Sequence, residues 1–174
     1  FDELNIDTMH TGDGALRLGV LYDLLGRDDE HDKRYESVRQ FMKRYHVDVN
    51  QARRVRHAAL SLFDAMFPEG QERAELRPAL GWAADLHEVG LSIAHNAYHK
   101  HTAYVLENAD MPGFSRADQH LLALLALGHQ GKLAKVEPLV RTRPQWKAIL
   151  ALRLAVLLFR RRGEIEPLPL TASV

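Results

Sequence analysis

Helical spacing of apolar residues is the feature that most restricts the fold of this chain. From position 33 to position 45 apolar side chains recur every three or four residues. The same spacing returns in the segments that begin near Asp48, Pro78, Lys100 and Ser115. No two alternating segments are joined by a hairpin turn sequence, so β-hairpins are not predicted. The pattern predicts an all-α bundle of about seven helices.

Capping patterns suggest where several of these helices begin. Asp48 and Gln51 are three residues apart, as in a capping box, and Ser115 and Asp118 repeat the pattern. Pro78 suits the first turn of a further helix. We expect these signals to fix the starts of the middle helices.

Two helices lie near the ends of the chain. The apolar segment 14–25 predicts a helix that ends at Gly26. Pro144 precedes a last helix, 146–159, which is apolar on nearly all sides. Such a helix is expected to be buried at the centre of the bundle.

Length and composition limit the class of protein. The 174 residues suffice for one well-packed domain, and no run of eighteen apolar residues predicts a membrane span. The start at Phe1 and the end at Val174 suggest a piece of a longer protein. The absence of cysteine is compatible with a reducing, cytoplasmic setting.

Charge is unevenly distributed although the formal net charge is zero. Residues 1–36 hold ten acids and four bases, whereas residues 129–162 hold nine bases and one acid. A basic segment of this kind can attract a polyanion, but the sequence alone favours the solvated face of helices. Aromatic residues make up 7% of the chain, which does not favour a nucleic-acid partner.

Histidines are concentrated around the pair His87-Glu88. Four of the ten histidines lie between positions 87 and 101, at His87, His95, His99 and His101. Histidines and carboxylates on several helices that face one cavity can form a metal site. The predicted ligand set is His57, His87, Glu88, His101 and His129. Hydrogen-bonded histidines without a metal remain the alternative.

The order of these residues is similar to that of the HD-domain phosphohydrolases. The chain departs from that pattern at Glu88, where the family has aspartate, and at Val156, where a late aspartate ligand is expected. Carboxylates offset the charge of a divalent cation and position its water. A degenerate metal site is therefore predicted, with an active metal-dependent phosphohydrolase as one alternative and a purely structural helical interaction module as another.

Longer sequence segments resemble the exopolyphosphatase / guanosine pentaphosphate phosphohydrolase family. They are the ranges 14–27, 45–55, 82–91 and 101–114, the last of which opens with His101-Thr102-Ala103-Tyr104. Leu18 departs from the resemblance, since the family usually has glutamate there.

The resemblance implies an HD-like helical domain at 28–163. Residues 1–27 would be the end of an upstream actin-like phosphatase domain, and 164–174 a tail that leads to a C-terminal domain. It also implies that the full-length parent is an enzyme that removes the terminal phosphate of polyphosphate, or acts on guanosine pentaphosphate, with Mg²⁺. The catalytic residues would lie upstream, so none is expected in this fragment, which alone would need no cofactor.

The fragment itself is expected to serve dimerisation and polyphosphate binding. Its implied partners are polyphosphate, a second copy of the chain and the upstream actin-like domains. Arginine and lysine contacts would hold the phosphates. The predicted polyphosphate-binding residues are Arg53, Arg54, Arg56, Lys100, Lys132, Lys135, Arg141 and Arg143.

Overall fold

The computed structural model describes residues 32–66 and 70–163, which form a bundle of helices. Within these residues there are six α-helices and no strand, so the predicted all-α fold is confirmed. The α-helices are α1 Lys33–Arg44, α2 Val49–Met66, α3 Gln71–Leu86, α4 Tyr98–Asn108, α5 Arg116–Gly128 and α6 Arg143–Leu158. Two short 3₁₀ helices, Val89–Ser92 and Leu133–Lys135, lie between them. The predicted helix 14–25 and the segments 1–27 and 164–174 lie outside the described residues.

The cap predicted at Asp48 is half correct. The Asp48 carboxylate accepts hydrogen bonds from the backbone N–H groups of Asn50 and Gln51, at 3.0 and 3.1 Å, and so caps α2. The Gln51 side chain does not return to the cap. It donates instead to the carbonyl of Phe159, at 2.9 Å, and thereby joins α2 to the end of α6.

Capping boxes open α5 and α6. Ser115 and Asp118 form the reciprocal pair that their spacing predicts. Thr142 and Gln145 form a second box, which moves the start of α6 to Arg143, one residue before Pro144. The same three-residue spacing is readable in the sequence at Thr142, but the prediction used the proline alone.

The prediction for Pro78 is wrong. Helix α3 begins at Gln71, and Pro78 lies inside it rather than in its first turn. Proline lacks an N–H, so the backbone carbonyl one turn earlier in the helix loses its hydrogen-bond donor. Pro78 is exposed, which allows solvent to hydrogen-bond to that carbonyl instead. The apolar residues Leu76, Ala79, Leu80 and Ala83 carry the buried face of α3 past it.

Helix α6 is buried on one side only, in contrast to the central position expected for it. Ala148, Ile149 and Leu152 face the core, whereas Leu150 and Leu157 are 43% and 57% exposed. Its nearest neighbours are α2 and α3. The fully apolar sequence therefore combines a core face with an exposed apolar face.

Gly90 brings the end of α3 against α4. Its N–H donates to Thr102 Oγ1 at 2.9 Å, and the same hydroxyl donates to the carbonyl of His87 at 3.1 Å. A β-carbon on Gly90 would lie 2.1 Å from the Tyr98 carbonyl oxygen, so only glycine fits this contact. This close approach places the histidines of both helices side by side.

None of the helices within the described ranges combines the length and the apolar character that crossing a membrane requires.

Candidate functional site

Three buried histidines from three helices meet below the surface. His87 follows α3, His99 lies on α4 and His129 follows α5, with exposed fractions of 1%, 6% and 1%. The ring centroids of His87 and His129 are 5.7 Å apart, and those of His99 and His129 are 6.1 Å apart. Tyr98 packs against His129 at 5.4 Å. We call these four side chains the histidine pocket.

Hydrogen bonds determine which ring nitrogen of His87 and of His129 carries the proton. His87 Nδ1 lies 2.7 Å from the Ala84 carbonyl, and His129 Nδ1 contacts the Ala126 carbonyl in the same way. A carbonyl can only accept, so each Nδ1 donates and each Nε2 presents a lone pair. The lone pair of His129 faces the Tyr98 hydroxyl at 3.2 Å. His87 Nε2 is buried without a partner among the described residues.

The pocket holds its histidines neutral. Burial lowers the pKa of His87 to about 4. Burial, with Lys135 and Lys100 nearby, lowers the pKa of His99 to about 4. Burial also holds the pKa of His129 well below its ordinary value and raises the pKa of Tyr98 to about 12. At neutral pH the pocket therefore contributes hydrogen-bonding atoms without charge.

Glu88 is engaged by an arginine and not by the histidines. Its Oε1 lies 3.9 Å from His87 Nε2 but 2.9 Å from Arg162 Nη2. Arg162 also donates to Asp48 at 2.6 Å. Burial raises the pKa of Glu88 despite the arginine. Arg162 has a positive φ of 56°, which is uncommon for a residue with a side chain. Through these two bonds Arg162 links the end of α6 to Glu88, next to the histidine pocket, and to Asp48 at the start of α2.

A group of bases borders the pocket on the side of His99. Lys135 and Arg153 donate to the carbonyls of Gln130 and Gly131 in the turn that follows α5, and the charge of Lys100, on α4, acts on Lys135; we call these three residues the cationic cluster. Burial lowers the pKa of Lys135 to about 8, and the positive charges of Lys100 and Arg153 add to that effect. Like charges at close range favour the neutral form of a lysine. The same arrangement would favour an anion that lies among the three groups.

Gly131 holds the cationic cluster in place. A β-carbon at this residue would lie 3.0 Å from Lys135 Nζ and 3.3 Å from His99 Nε2. Arg153 donates to the carbonyls of Gly128 and Gly131, at 3.2 and 2.6 Å. With φ at +77°, Gly131 adopts a conformation that glycine tolerates and other residues rarely do.

The structure does not bring the five predicted metal ligands together. His87, Glu88 and His129 are buried, but His57 is exposed on α2 and His101 is half-buried on α4. The ring that faces His129 from α4 belongs to His99. In the part of the chain that the structure describes, no three histidine or carboxylate groups are arranged to hold a metal ion. The Glu88 carboxylate is hydrogen-bonded to Arg162, and Val156 has no atom that could bind a metal. The five predicted ligands therefore do not form a site for a divalent cation.

The predicted phosphate-binding bases separate into different environments. Arg56 forms an ion pair with Asp85, and Arg54 donates to the Gln51 side chain at 3.0 Å. Arg53, Lys132 and Arg143 are exposed. Arg141 lines a groove on another face. Of the predicted set, Lys100 and Lys135 meet in the cationic cluster.

Four members of the site were not selected from the sequence: Tyr98, His99, Arg153 and Arg162. His99 has a readable signal, because Ala103 and Leu106 follow it at helical spacing and mark the buried face of α4. His101 lies on a different face. Nothing in the sequence distinguishes Arg153 and Arg162 from the other bases of the segment 129–162, since their roles depend on the turn after α5 and on the end of α6.

Comparison with known proteins assigns the chain to a family. Residues 34–173 match the family model described as Ppx/GppA phosphatase, domain III. The chain belongs to the Ppx/GppA phosphatase family. The match covers all six α-helices apart from the first residue of α1. The family resemblance found in the sequence is confirmed.

Relatives with assigned names match over most of this chain. A guanosine-5'-triphosphate,3'-diphosphate pyrophosphatase of Pseudoalteromonas translucida is 40% identical over 136 residues, which are 78% of this chain and 27% of that protein. A protein of the same name from Aeromonas hydrophila is 36% identical over 170 residues, which are 94% of this chain and 34% of that protein. The chain thus spans about a third of the length of these relatives.

Proposed function

We propose that this chain is the HD-like helical part of a phosphatase that hydrolyses phosphoanhydride chains, either polyphosphate or guanosine pentaphosphate. Its role in that protein is to bind the anionic chain of phosphates. The family assignment and the relatives' name support the substrate class. The observation that carries the binding role is the cationic cluster of Lys100, Lys135 and Arg153.

Electrostatics favours a chain of phosphates at this cluster. Polyphosphate carries roughly one negative charge per unit, so it gains from several cations at one place, as nucleic-acid backbones do. An anion between Lys100, Lys135 and Arg153 would relieve their mutual repulsion. The neutral histidine pocket beside them adds no negative charge, and the nearby carboxylate of Glu88 is paired with Arg162.

The chemistry would take place elsewhere in the parent protein. Catalytic residues and Mg²⁺ belong, in this proposal, to the upstream actin-like domains. Mg²⁺ prefers oxygen ligands in octahedral arrangement, whereas the pocket offers imidazole nitrogens. The alternative is an active metal-dependent HD phosphohydrolase. It would be favoured if the purified chain held a stoichiometric transition metal, and if His87→Ala removed both that metal and a phosphatase activity.

Binding of long-chain polyphosphate to the purified chain at low salt tests the proposal. We expect binding that weakens on the order of tenfold when Lys100→Gln and Lys135→Gln are combined, because two of three cations are lost. Arg39→Gln with Lys43→Gln is the matched control, since both residues are exposed on α1. If both double variants weaken polyphosphate binding equally, binding depends on the net charge of the chain and not on the cationic cluster.

Self-association is the second part of the proposal. Leu150 and Leu157 are seven residues apart, so they lie on one face of α6, and both are exposed. This exposed apolar face is the candidate dimer contact. Sedimentation should show a dimer that dissociates more readily in Leu150→Gln, Leu157→Gln. A monomer at all concentrations, or a dimer that these changes leave intact, would contradict this contact.

A further inference from the structure

The amine of Lys135 is held in place, unlike that of an ordinary surface lysine. Its Nζ donates a hydrogen bond to the carbonyl of Gln130, in the turn that follows α5. A β-carbon on Gly131 would lie 3.0 Å from this nitrogen. Because Gly131 is exposed and has no side chain, the amine is open to solvent on that side. Lys135 Nζ therefore combines a fixed position with access from outside.

The charged groups that act on Lys135 are positive. They are Lys100, on α4, and Arg153, on α6. Arg153 is itself held by hydrogen bonds to two backbone carbonyls near the end of α5. The ring of His99, which lies beside the same glycine, is neutral. An ammonium group at Lys135 would add a third positive charge, so these surroundings favour an uncharged amine with a free lone pair.

The pKa of about 8 gives this uncharged amine a substantial population. About one molecule in ten carries Lys135 in the neutral form at pH 7, against roughly one in 2,500 for a lysine at its ordinary pKa of about 10.4. A lysine attacks a carbonyl carbon only in its neutral form. Lys135 is therefore a nucleophile next to two cations that favour an anion.

An acyl phosphate matches both parts of this arrangement. Its phosphate group is anionic, which suits the guanidinium of Arg153 and the ammonium of Lys100. A single bridging oxygen separates that phosphate from the carbonyl carbon. Binding of the phosphate between the two cations therefore brings the carbonyl carbon close to Lys135 Nζ, and proximity of this kind accelerates acyl transfer.

We propose that Lys135 is an acylation site, at which an acyl phosphate such as acetyl phosphate transfers its acyl group to Nζ. The lone pair of Nζ forms the bond to the carbonyl carbon. The bond from that carbon to the bridging oxygen breaks, and phosphate leaves with the electron pair. The nitrogen loses one proton, which the departing phosphate accepts.

The product is a neutral amide, so the cationic cluster loses one of its three charges. Acylation would then weaken the binding of a chain of phosphates at the cluster. This consequence rests on the proposed function, whereas the acylation itself does not.

Mass spectrometry of the complete chain after incubation with acetyl phosphate at neutral pH tests the inference. We expect Lys135 to be acetylated faster than Lys132 by on the order of tenfold, although Lys132 is three residues away and more exposed. Lys100→Gln should slow the reaction at Lys135 severalfold and leave the rate at Lys132 unchanged. Lys43→Gln, at an exposed site on α1, is the matched control and should change neither rate.

Two further probes separate a phosphate-binding site from an amine that is merely reactive. The N-hydroxysuccinimide ester of acetic acid is uncharged, so it should favour Lys135 over Lys132 less strongly than acetyl phosphate does. Inorganic phosphate should slow the reaction of Lys135 with acetyl phosphate but not with the ester. Lys100 is exposed, and thermal melting would verify that its variant remains folded.

Equal rates at Lys135 and Lys132 with acetyl phosphate would overturn the inference. A rate at Lys135 that neither Lys100→Gln nor inorganic phosphate lowers would overturn it too. Rapid acetylation of Lys135 with an unchanged affinity for polyphosphate would support the acylation site and contradict the proposed binding role, so the two proposals fail separately.

Discussion

At the scale of single residues, the site depends on protonation as much as on position. His87 and His99 lie close to positive charges and are buried, so both effects oppose a proton on their rings. Because these histidines are neutral, they place no positive charge in the core. The positive electrostatic potential at this face therefore comes from Lys100, Lys135 and Arg153. In the described structure the histidines that first suggest a metal site act as uncharged packing and hydrogen-bonding groups, with His87 and His129 bonded to the backbone carbonyls of Ala84 and Ala126.

The low pKa of His87 makes stability depend on pH. The pKa in the folded chain, about 4, is below the unfolded value near 6.5, so the unfolded chain binds more protons between these values. Stability is therefore present above pH 6.5 and is lost as pH falls towards 4. From pH 7 to pH 5 we expect His87 to account for about 2 kcal/mol of the loss.

Urea unfolding of His87→Asn at pH 7 and pH 5 measures that contribution. Asparagine retains an N–H donor for the Ala84 carbonyl, so the variant should fold and show a smaller difference between the two pH values. His57→Asn, at an exposed site on α2, should keep the full difference. If His87→Asn and the parent chain lose equal stability on acidification, His87 is not the responsible group.

At the scale of elements, most helices were predictable because their signals are local. The capping pair Ser115 and Asp118 and the helical spacing in α1 and α2 operate within one or two turns. The start of α3 was missed because Pro78 is a tolerated exception inside a helix, and the buried face around Leu80 outweighs its cost. The choice of His101 over His99 failed to match the pocket because the prediction did not use the helical spacing of Ala103 and Leu106, which places His99 on the buried face of α4.

Arg162 joins three elements, and its removal should expose that coupling. In Arg162→Met, the mostly buried Glu88 would lose its charged partner, so we expect a loss of about 1–2 kcal/mol in the free energy of unfolding. Arg162 is itself about half exposed, which keeps the expected loss modest. Glu88→Gln in the same chain should restore most of the loss, since a neutral amide needs no counter-charge.

Chemical denaturation of the two single variants and the double variant forms the required cycle. Arg161→Met is the control, because Arg161 is an exposed neighbour with the same charge. Independent, additive effects of Arg162→Met and Glu88→Gln would show that the ion pair does not couple α6 to the pocket.

At the scale of the whole molecule, the described bundle separates two faces with different chemistry. The cationic cluster lies beside the histidine pocket, and the apolar groove lies between α4, α5 and the segment before α6. Sequence charge counts indicated a basic region but not which bases meet, because Lys100 lies on α4 and Lys135 and Arg153 come from distant parts of the chain. Tertiary folding alone creates the cluster.

The dependence of polyphosphate affinity on salt tests the central claim most directly. Each cation that contacts the polyanion contributes about −0.7 to the slope of log affinity against log salt concentration. Three contacts predict a slope of about −2 for the parent chain and about −0.7 for Lys100→Gln with Lys135→Gln. A slope that is the same in both proteins, or that falls equally in Arg39→Gln with Lys43→Gln, would contradict the claim that this cluster binds the phosphate chain.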